Sequence, residues 1–170
     1  MKFLHYIIIP LLLIPSVILS QNNQITSFSK SKKQLAKVYK DHPITLYCGC
    51  SFEGKTPNFS SCGYVPKKNN KRANRIEWEH VVPAYVFGIF FSEWTVGHSK
   101  CIKKNGKKYK GRRCASKVNK EFKRMEADMY NLFPAIGEVN GLRSNYPMTI
   151  IEGEEREFEK CDVEIKRQKV

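Results

Sequence analysis

Hydrophobic and polar positions change their period several times along this chain. The sharpest change comes first, where Lys2 precedes the apolar run Ile7 to Leu19. A basic start, a short apolar stretch and small residues behind it have the layout of an export signal, with cleavage expected after Ser20. A retained membrane anchor is the poorer reading. The run is shorter than the ~20 residues of a spanning helix, and Pro10 and Pro15 interrupt it. Residues 1–20 are therefore assigned as signal peptide. Residues 21–170 are long enough for one domain with its own core and short for two.

Gln21 to Ser29 is polar and unpatterned. From Lys30 to Lys40, Leu35, Val38 and Tyr39 fall on one face among lysines, which predicts a short amphipathic helix. Asp41-His42-Pro43 ends it, and Ile44 to Tyr47 reads as a strand. Ser51 to Asn74 has the glycines, prolines and polar residues of an irregular region. Ile76 to Val82 is β-branched and aromatic, a strand that Pro83 terminates. Ala84 to Trp94 is apolar enough for a buried helix, and Gly97 to Lys117 reads as a basic, glycine-containing loop. Phe122, Met125, Met129 and Leu132 recur at helical spacing with Glu126 beside them, until Pro134 and Gly137 break the pattern. Near the end, Cys161 to Ile165 alternates like a strand.

The six cysteines, Cys48, Cys50, Cys62, Cys101, Cys114 and Cys161, all lie beyond the signal segment. An even count in an exported chain implies disulfides, and sequence alone leaves all fifteen pairings open. Zinc is the competing use. One residue separates Cys48 from Cys50, where a zinc knuckle has two to four, and no His-x3-5-His pair follows. Thirty Lys and Arg against sixteen Asp and Glu give a formal charge of +14, of which only Lys2 leaves with the signal. So large a positive field attracts polyanions, but charge alone does not separate a nuclease from a passive binder.

Chemistry narrows the choice. His5 belongs to the signal segment, which leaves His42, His80 and His98 as the imidazoles that titrate near neutrality. His80 follows Glu79 directly. A general base next to a cation-binding carboxylate is what phosphodiester hydrolysis requires: one deprotonates water while the cation offsets charge on the phosphate. The oxygen donor suits Mg²⁺, or another divalent cation such as Mn²⁺ or Ca²⁺. Neighbours on a regular strand point to opposite faces, so Glu79 and His80 converge only where the strand bends or ends. Taken by itself, the segment better describes a histidine packed beside Trp78 and Val82.

Two long blocks shift the balance. Arg75-Ile-Glu-Trp-Glu-His-Val-Val-Pro-Ala84 and Met125-Glu-Ala-Asp-Met-Tyr-Asn-Leu-Phe-Pro-Ala-Ile-Gly-Glu-Val-Asn-Gly-Leu-Arg-Ser-Asn145 resemble the signature blocks of the bacterial endonuclease I family. Asp41-His-Pro-Ile, Tyr47-Cys-Gly-Cys50 and Cys62-Gly-Tyr64 extend the likeness over most of the chain. The resemblance implies an α+β fold, a single disulfide-stapled domain with a ββα-metal (His-Me finger) active site. It further implies a periplasmic or secreted monomer that cleaves DNA, and often RNA, without sequence preference to leave 5′-phosphates. By matching position, Glu79 and Asn140 would hold the cation, His80 would be the general base, and Glu126 would orient His80 or a water. Arg112 would clamp the cleaved phosphate, with Arg113 its neighbouring competitor. The spacing Asn131-x-x-Pro134-x5-Asn140 resembles other nucleases of this kind, where Asn131 would fix the loop presenting Asn140; a plain helix-end asparagine is the other reading. Lys67, Lys68, Lys71 and Arg72 are generic candidates for the DNA backbone, whose contacts carry no base code. Family members commonly continue into further helices and cysteines beyond a stretch like Lys166 to Val170, so this chain is expected to lack them.

Two other classes remain open at this stage. One is a catalytically impaired cationic nucleic-acid-binding protein. The other is a small secreted protein whose basic surface meets anionic membranes or acidic polymers. Metal dependence separates both from an enzyme.

Overall fold

The computed structural model describes residues 25–67, 71–153 and 158–166; the proposed signal segment, Lys68 and residues 167–170 lie outside them. The first helix forms where expected, as α1 (Phe28–Val38). Ser27 caps it by accepting from the amide of Lys30, and Tyr39 closes it. Leu35 is buried, and the Ser31 hydroxyl donates to the carbonyl of Ala127 at 2.6 Å, which docks the helix. Val38 does not join the packed face and is 58% exposed.

The strand expected over Ile44–Tyr47 is instead a single bridge, Ile44 to Ser51, followed by a turn. Local bonding wins there. Thr45 exchanges backbone bonds with the Cys48–Cys50 turn, its hydroxyl accepts from the Cys50 amide at 2.9 Å, and Gly49 takes φ of +64°. Strands β1 (Phe52–Glu53) and β2 (Thr56–Pro57) form a two-residue hairpin inside the otherwise irregular region.

The predicted strand before Pro83 is β3 (Ile76–His80). Four short helices follow it: α2 (Ala84–Gly88), α3 (Ser92–Thr95), α4 (Arg112–Val118) and α5 (Lys120–Glu126). Next come β4 (Leu132–Ile136), antiparallel to β3 with His80 opposite Leu132 and Ile76 opposite Ile136, and α6 (Gly137–Arg143). Two paired strands and a helix thus frame an inserted helical segment.

Four further expectations differ from the structure. Ala84 to Trp94 is two helices rather than one, because the chain folds back until the Trp94 ring lies on Gly88, where a Cβ would come within 2.3 Å of it. The basic loop is shorter than expected, since α4 begins at Arg112 behind Gly111, whose φ is +82°. The helical spacing from Phe122 to Leu132 holds only to Glu126. Asp128 then caps a 3₁₀ turn, and Leu132 already belongs to β4. Pro134 does not stop this strand. Its carbonyl faces outward to accept from the Leu46 amide at 2.8 Å, so the N–H it lacks is not needed by β3. The Cys161–Ile165 alternation produces only isolated bridges, Phe158 to Cys161 and Met148 to Ile165.

Two apolar clusters hold these parts. One joins Ile136 and Val139 to Tyr64, Phe158, Val163 and the buried cysteines; the other gathers Ala84, Phe87, Ala115 and Phe122. All six cysteines are oxidised, as Cys48–Cys161, Cys50–Cys62 and Cys101–Cys114, which removes the zinc reading. The long link spans 113 residues, and closing such a loop disfavours the unfolded chain by about 5 kcal/mol, against about 3 kcal/mol for each short link. The result is a mixed α+β domain with three disulfides. No helix among the described residues is long and apolar enough to cross a membrane.

Candidate active site

The strand that carries Glu79 and His80 ends at His80. After His80 the Val81 amide makes one more bond, to the Asn131 carbonyl. The Asn131 side chain then grips both polar groups of Val82: Oδ1 accepts from the amide at 2.7 Å and Nδ2 donates to the carbonyl at 3.0 Å. Asn131 thus fixes the exit of β3 behind His80, rather than the loop before Asn140. Pro83, without an N–H, leads into α2.

His80 is buried, 5% exposed, with the Phe28 ring 5.0 Å from its own. Its Nε2 lies 2.9 Å from the carbonyl oxygen of Glu126. A carbonyl only accepts, so Nε2 carries the hydrogen and Nδ1 keeps its lone pair. Burial holds the imidazole below its ordinary pKa, partly opposed by the Glu126 carbonyl, and the charge of Arg112 acts with burial. Burial and the Arg112 charge both favour the neutral form of the imidazole.

Glu126 reaches this position because α5 is anchored in the second cluster. Asn119 ends α4 and caps α5, accepting from the Phe122 amide at 2.9 Å, and Phe122 packs among Phe87, Phe91 and Trp94. The Glu126 backbone, not its carboxylate, orients the imidazole. The carboxylate accepts instead from Arg112 Nε at 2.6 Å and Ser116 Oγ at 2.7 Å.

Arg112 and Arg113 part company at the start of α4. The guanidinium of Arg112 lies 5.2 Å from the Phe28 ring, and Arg112 lines the same cavity as His80. Arg113 lies over Tyr109 and lines a separate hollow with Lys103, Lys104 and Lys117.

On the other face of β3, Glu79 is buried at 3% exposure. Its Oε1 accepts from Tyr47 Oη at 2.8 Å and Arg143 Nη1 at 3.0 Å, while Oε2 makes no hydrogen bond among the described residues. Burial raises its carboxyl, opposed by Tyr47 and Arg143. Arg143 also donates to the carbonyls of His80 at 2.8 Å and Val81 at 2.6 Å, tying α6 to the strand end. One turn earlier on α6, Asn140 donates through Nδ2 to Glu77 Oε2 at 2.9 Å, which leaves Oδ1 without a partner among the described residues. Burial alone would raise the Glu77 carboxyl, but hydrogen bonds and charge from Arg72 and Arg75 hold it below the ordinary range.

Glu77, Glu79, His80, Arg112 and Asn140 line one cavity of about 1440 Å³, and Lys32, Lys33, Lys40, Lys55, Arg72 and Arg75 make it basic. Among the described residues no group of three or more His, Cys, Asp or Glu could hold a metal ion. The free oxygens of Glu79 and Asn140 are hard donors, and Mg²⁺ takes few protein ligands and retains waters, so the donor set fits such a cation. His42 and His98 are exposed and do not line this cavity.

Of the five site residues proposed from sequence, Glu79, His80, Arg112 and Asn140 line this cavity and Glu126 contacts His80 and Arg112, while three residues that hold them, Glu77, Arg143 and Tyr47, were not foreseen. Glu77 carried a usable signal, because a residue two before Glu79 shares its strand face. Arg143 lies three after Asn140 in the block already quoted, close to it on α6. Tyr47 is 32 residues from Glu79 and had none.

Comparison with known proteins identifies the family. The Endonuclease I family model matches residues 16–163. The chain belongs to the Endonuclease I family. An extracellular deoxyribonuclease of Aeromonas hydrophila is 45% identical over 145 residues, covering 83% of this chain and 57% of that protein. A periplasmic deoxyribonuclease of the same species is 44% identical over 156 residues, covering 88% and 60%. Endonuclease-1 of Buchnera aphidicola subsp. Acyrthosiphon pisum is 40% identical over 146 residues, covering 83% and 52%. The chain thus spans roughly half to three fifths of the length of these Endonuclease I relatives.

Proposed function

We propose that this protein is a secreted or periplasmic endonuclease that hydrolyses phosphodiester bonds of DNA without sequence preference, using a divalent cation at a ββα-metal site. The observation that carries this reading is the basic cleft into which β3 and α6 bring a neutral imidazole and two uncommitted oxygen donors. The deoxyribonuclease names of the relatives support DNA as substrate, and three disulfides suit an oxidising compartment outside the cytosol.

Each residue has a task. His80 Nδ1 takes the proton of the attacking water, while the Glu126 carbonyl holds Nε2–H and so keeps Nδ1 turned toward the substrate. As the new P–O bond forms, the P–O3′ bond breaks, the 3′-oxygen leaves on the upstream fragment and takes a proton from solvent water, and the 5′-phosphate stays on the downstream fragment. Glu79 through Oε2 and Asn140 through Oδ1 would hold Mg²⁺ or a similar cation, which offsets charge on the phosphate and on the leaving oxygen. Arg112, fixed by Glu126, supplies a guanidinium for a phosphate oxygen. The remaining lysines of the cleft hold the backbone and read no bases, hence the lack of sequence preference.

Digestion of supercoiled plasmid by the oxidised protein tests this directly. Smearing in Mg²⁺ that EDTA abolishes is expected. Plasmid bound in a gel shift at low salt but left intact in Mg²⁺, Mn²⁺ and Ca²⁺ would overturn the enzyme in favour of a passive cationic binder.

A further inference from the structure

The Glu77 carboxylate has no place in the chemistry above, yet it is built into the cleft with unusual care. Arg72 meets it through Nε and Nη2, at 3.1 and 2.8 Å, and Arg75 through Nε and Nη2, at 3.0 and 2.6 Å. Two glycines one helical turn apart on α6 make room for this group. A Cβ at Gly137 would come within 2.4 Å of the Arg72 carbonyl oxygen and 3.1 Å of the Glu77 carboxyl carbon. A Cβ at Gly141 would come within 2.8 Å of the Arg72 guanidinium. Between those glycines stands Asn140, which donates to Glu77 at 2.9 Å.

We propose that Glu77 is a positioning residue that sets which end of the Asn140 amide faces the cation. This rests on the reading of Asn140 as a cation ligand. An asparagine amide has a donor end and an acceptor end of nearly equal shape, and only the oxygen binds a cation. An ionised carboxylate accepts and never donates, so it captures Nδ2 and forces Oδ1 the other way. Arg72 and Arg75 occupy the remaining lone pairs of Glu77 and fix its plane, and the glycine cradle lets Arg72 lie against α6. The anchoring pair thus acts on the cation only through Asn140.

Glu77→Gln tests the idea, because an amide in that place offers a donor to Oδ1 and permits the turned Asn140. Mn²⁺ binding to the EDTA-stripped, oxidised protein, measured by calorimetry without DNA, is expected to weaken roughly 10- to 100-fold, the usual effect of losing a partner behind a metal ligand. Cleavage should recover largely at high Mn²⁺, and the melting temperature and circular dichroism should show a folded protein. Gly141→Ala, which displaces Arg72 and leaves Glu77 in place, should weaken Mn²⁺ by a smaller factor and serves if Glu77→Gln does not fold. Folded variants that bind Mn²⁺ as tightly as the parent, while Glu79→Ala loses it, would overturn the role of Glu77 and leave the cation site standing. A parent protein that binds no Mn²⁺ would overturn both.

Discussion

Along β3, Glu77 and Glu79 turn toward α6 and are held by arginines, whereas Trp78 and His80 turn toward α1 and are held by aromatic rings and one carbonyl. The difference follows from what each face must keep. Carboxylates in a partly buried place need cations or donors, which Arg72, Arg75, Arg143 and Tyr47 provide. An imidazole that must stay neutral needs the reverse: Phe28 and Phe87 exclude water around it and Glu126 offers a neutral acceptor. Strand alternation separates the two environments by one residue. On the proposed mechanism, this lets the cation ligand and the base be tuned side by side without cancelling each other.

The contrast can be broken most severely at Arg143. It is buried with Glu79, and its removal strands a charge in the interior and frees the carbonyls of His80 and Val81. Arg143→Ala is expected to cost about 3–5 kcal/mol of stability in urea unfolding. Tyr47→Phe removes one donor from the same carboxylate and leaves the ion pair in place, for roughly 1.5–3 kcal/mol. A loss in Arg143→Ala no larger than in Tyr47→Phe would mean that the acidic face does not depend on its buried counter-charge.

A smaller effect is expected on the other face. Phe28→Ala opens His80 to water, and burial is the main cause of its lowered pKa. The imidazole must be neutral to accept a proton, so activity falls as pH drops through that pKa. With the ring gone the pKa rises toward the ordinary histidine value, and the acid limb of the pH–rate profile shifts to higher pH. A limb that stays put, or moves to lower pH, would show that the ring does not set the environment of the base.

Much of this was legible in the chain, for physical reasons that can be named. The helix of α1 and the strand of β3 follow from unbroken local periods, and the adjacency of Glu79 and His80 before Pro83 marked the end of the strand. The second strand was hidden, because Phe122, Met125, Met129 and Leu132 keep helical spacing across a junction where Asp128 starts a 3₁₀ turn. Leu132 is buried in β4, not on a helix. Likewise Ile44 to Tyr47 has strand residues, but the turn through Thr45 and Gly49 and the two nearby disulfides decide its shape. Glu126 was placed by the family likeness with its side chain in mind, and the contact with His80 comes from its backbone, which no side-chain pattern encodes.

The central claim is that His80 performs the chemical step and contributes little to affinity. The most direct measurement compares the parent with His80→Ala in Mg²⁺ for plasmid cleavage, with DNA affinity measured in EDTA on the same preparations. The account predicts a loss of cleavage of roughly 10²- to 10⁴-fold with affinity nearly unchanged. A folded His80→Ala protein that cuts at the parent rate would contradict it.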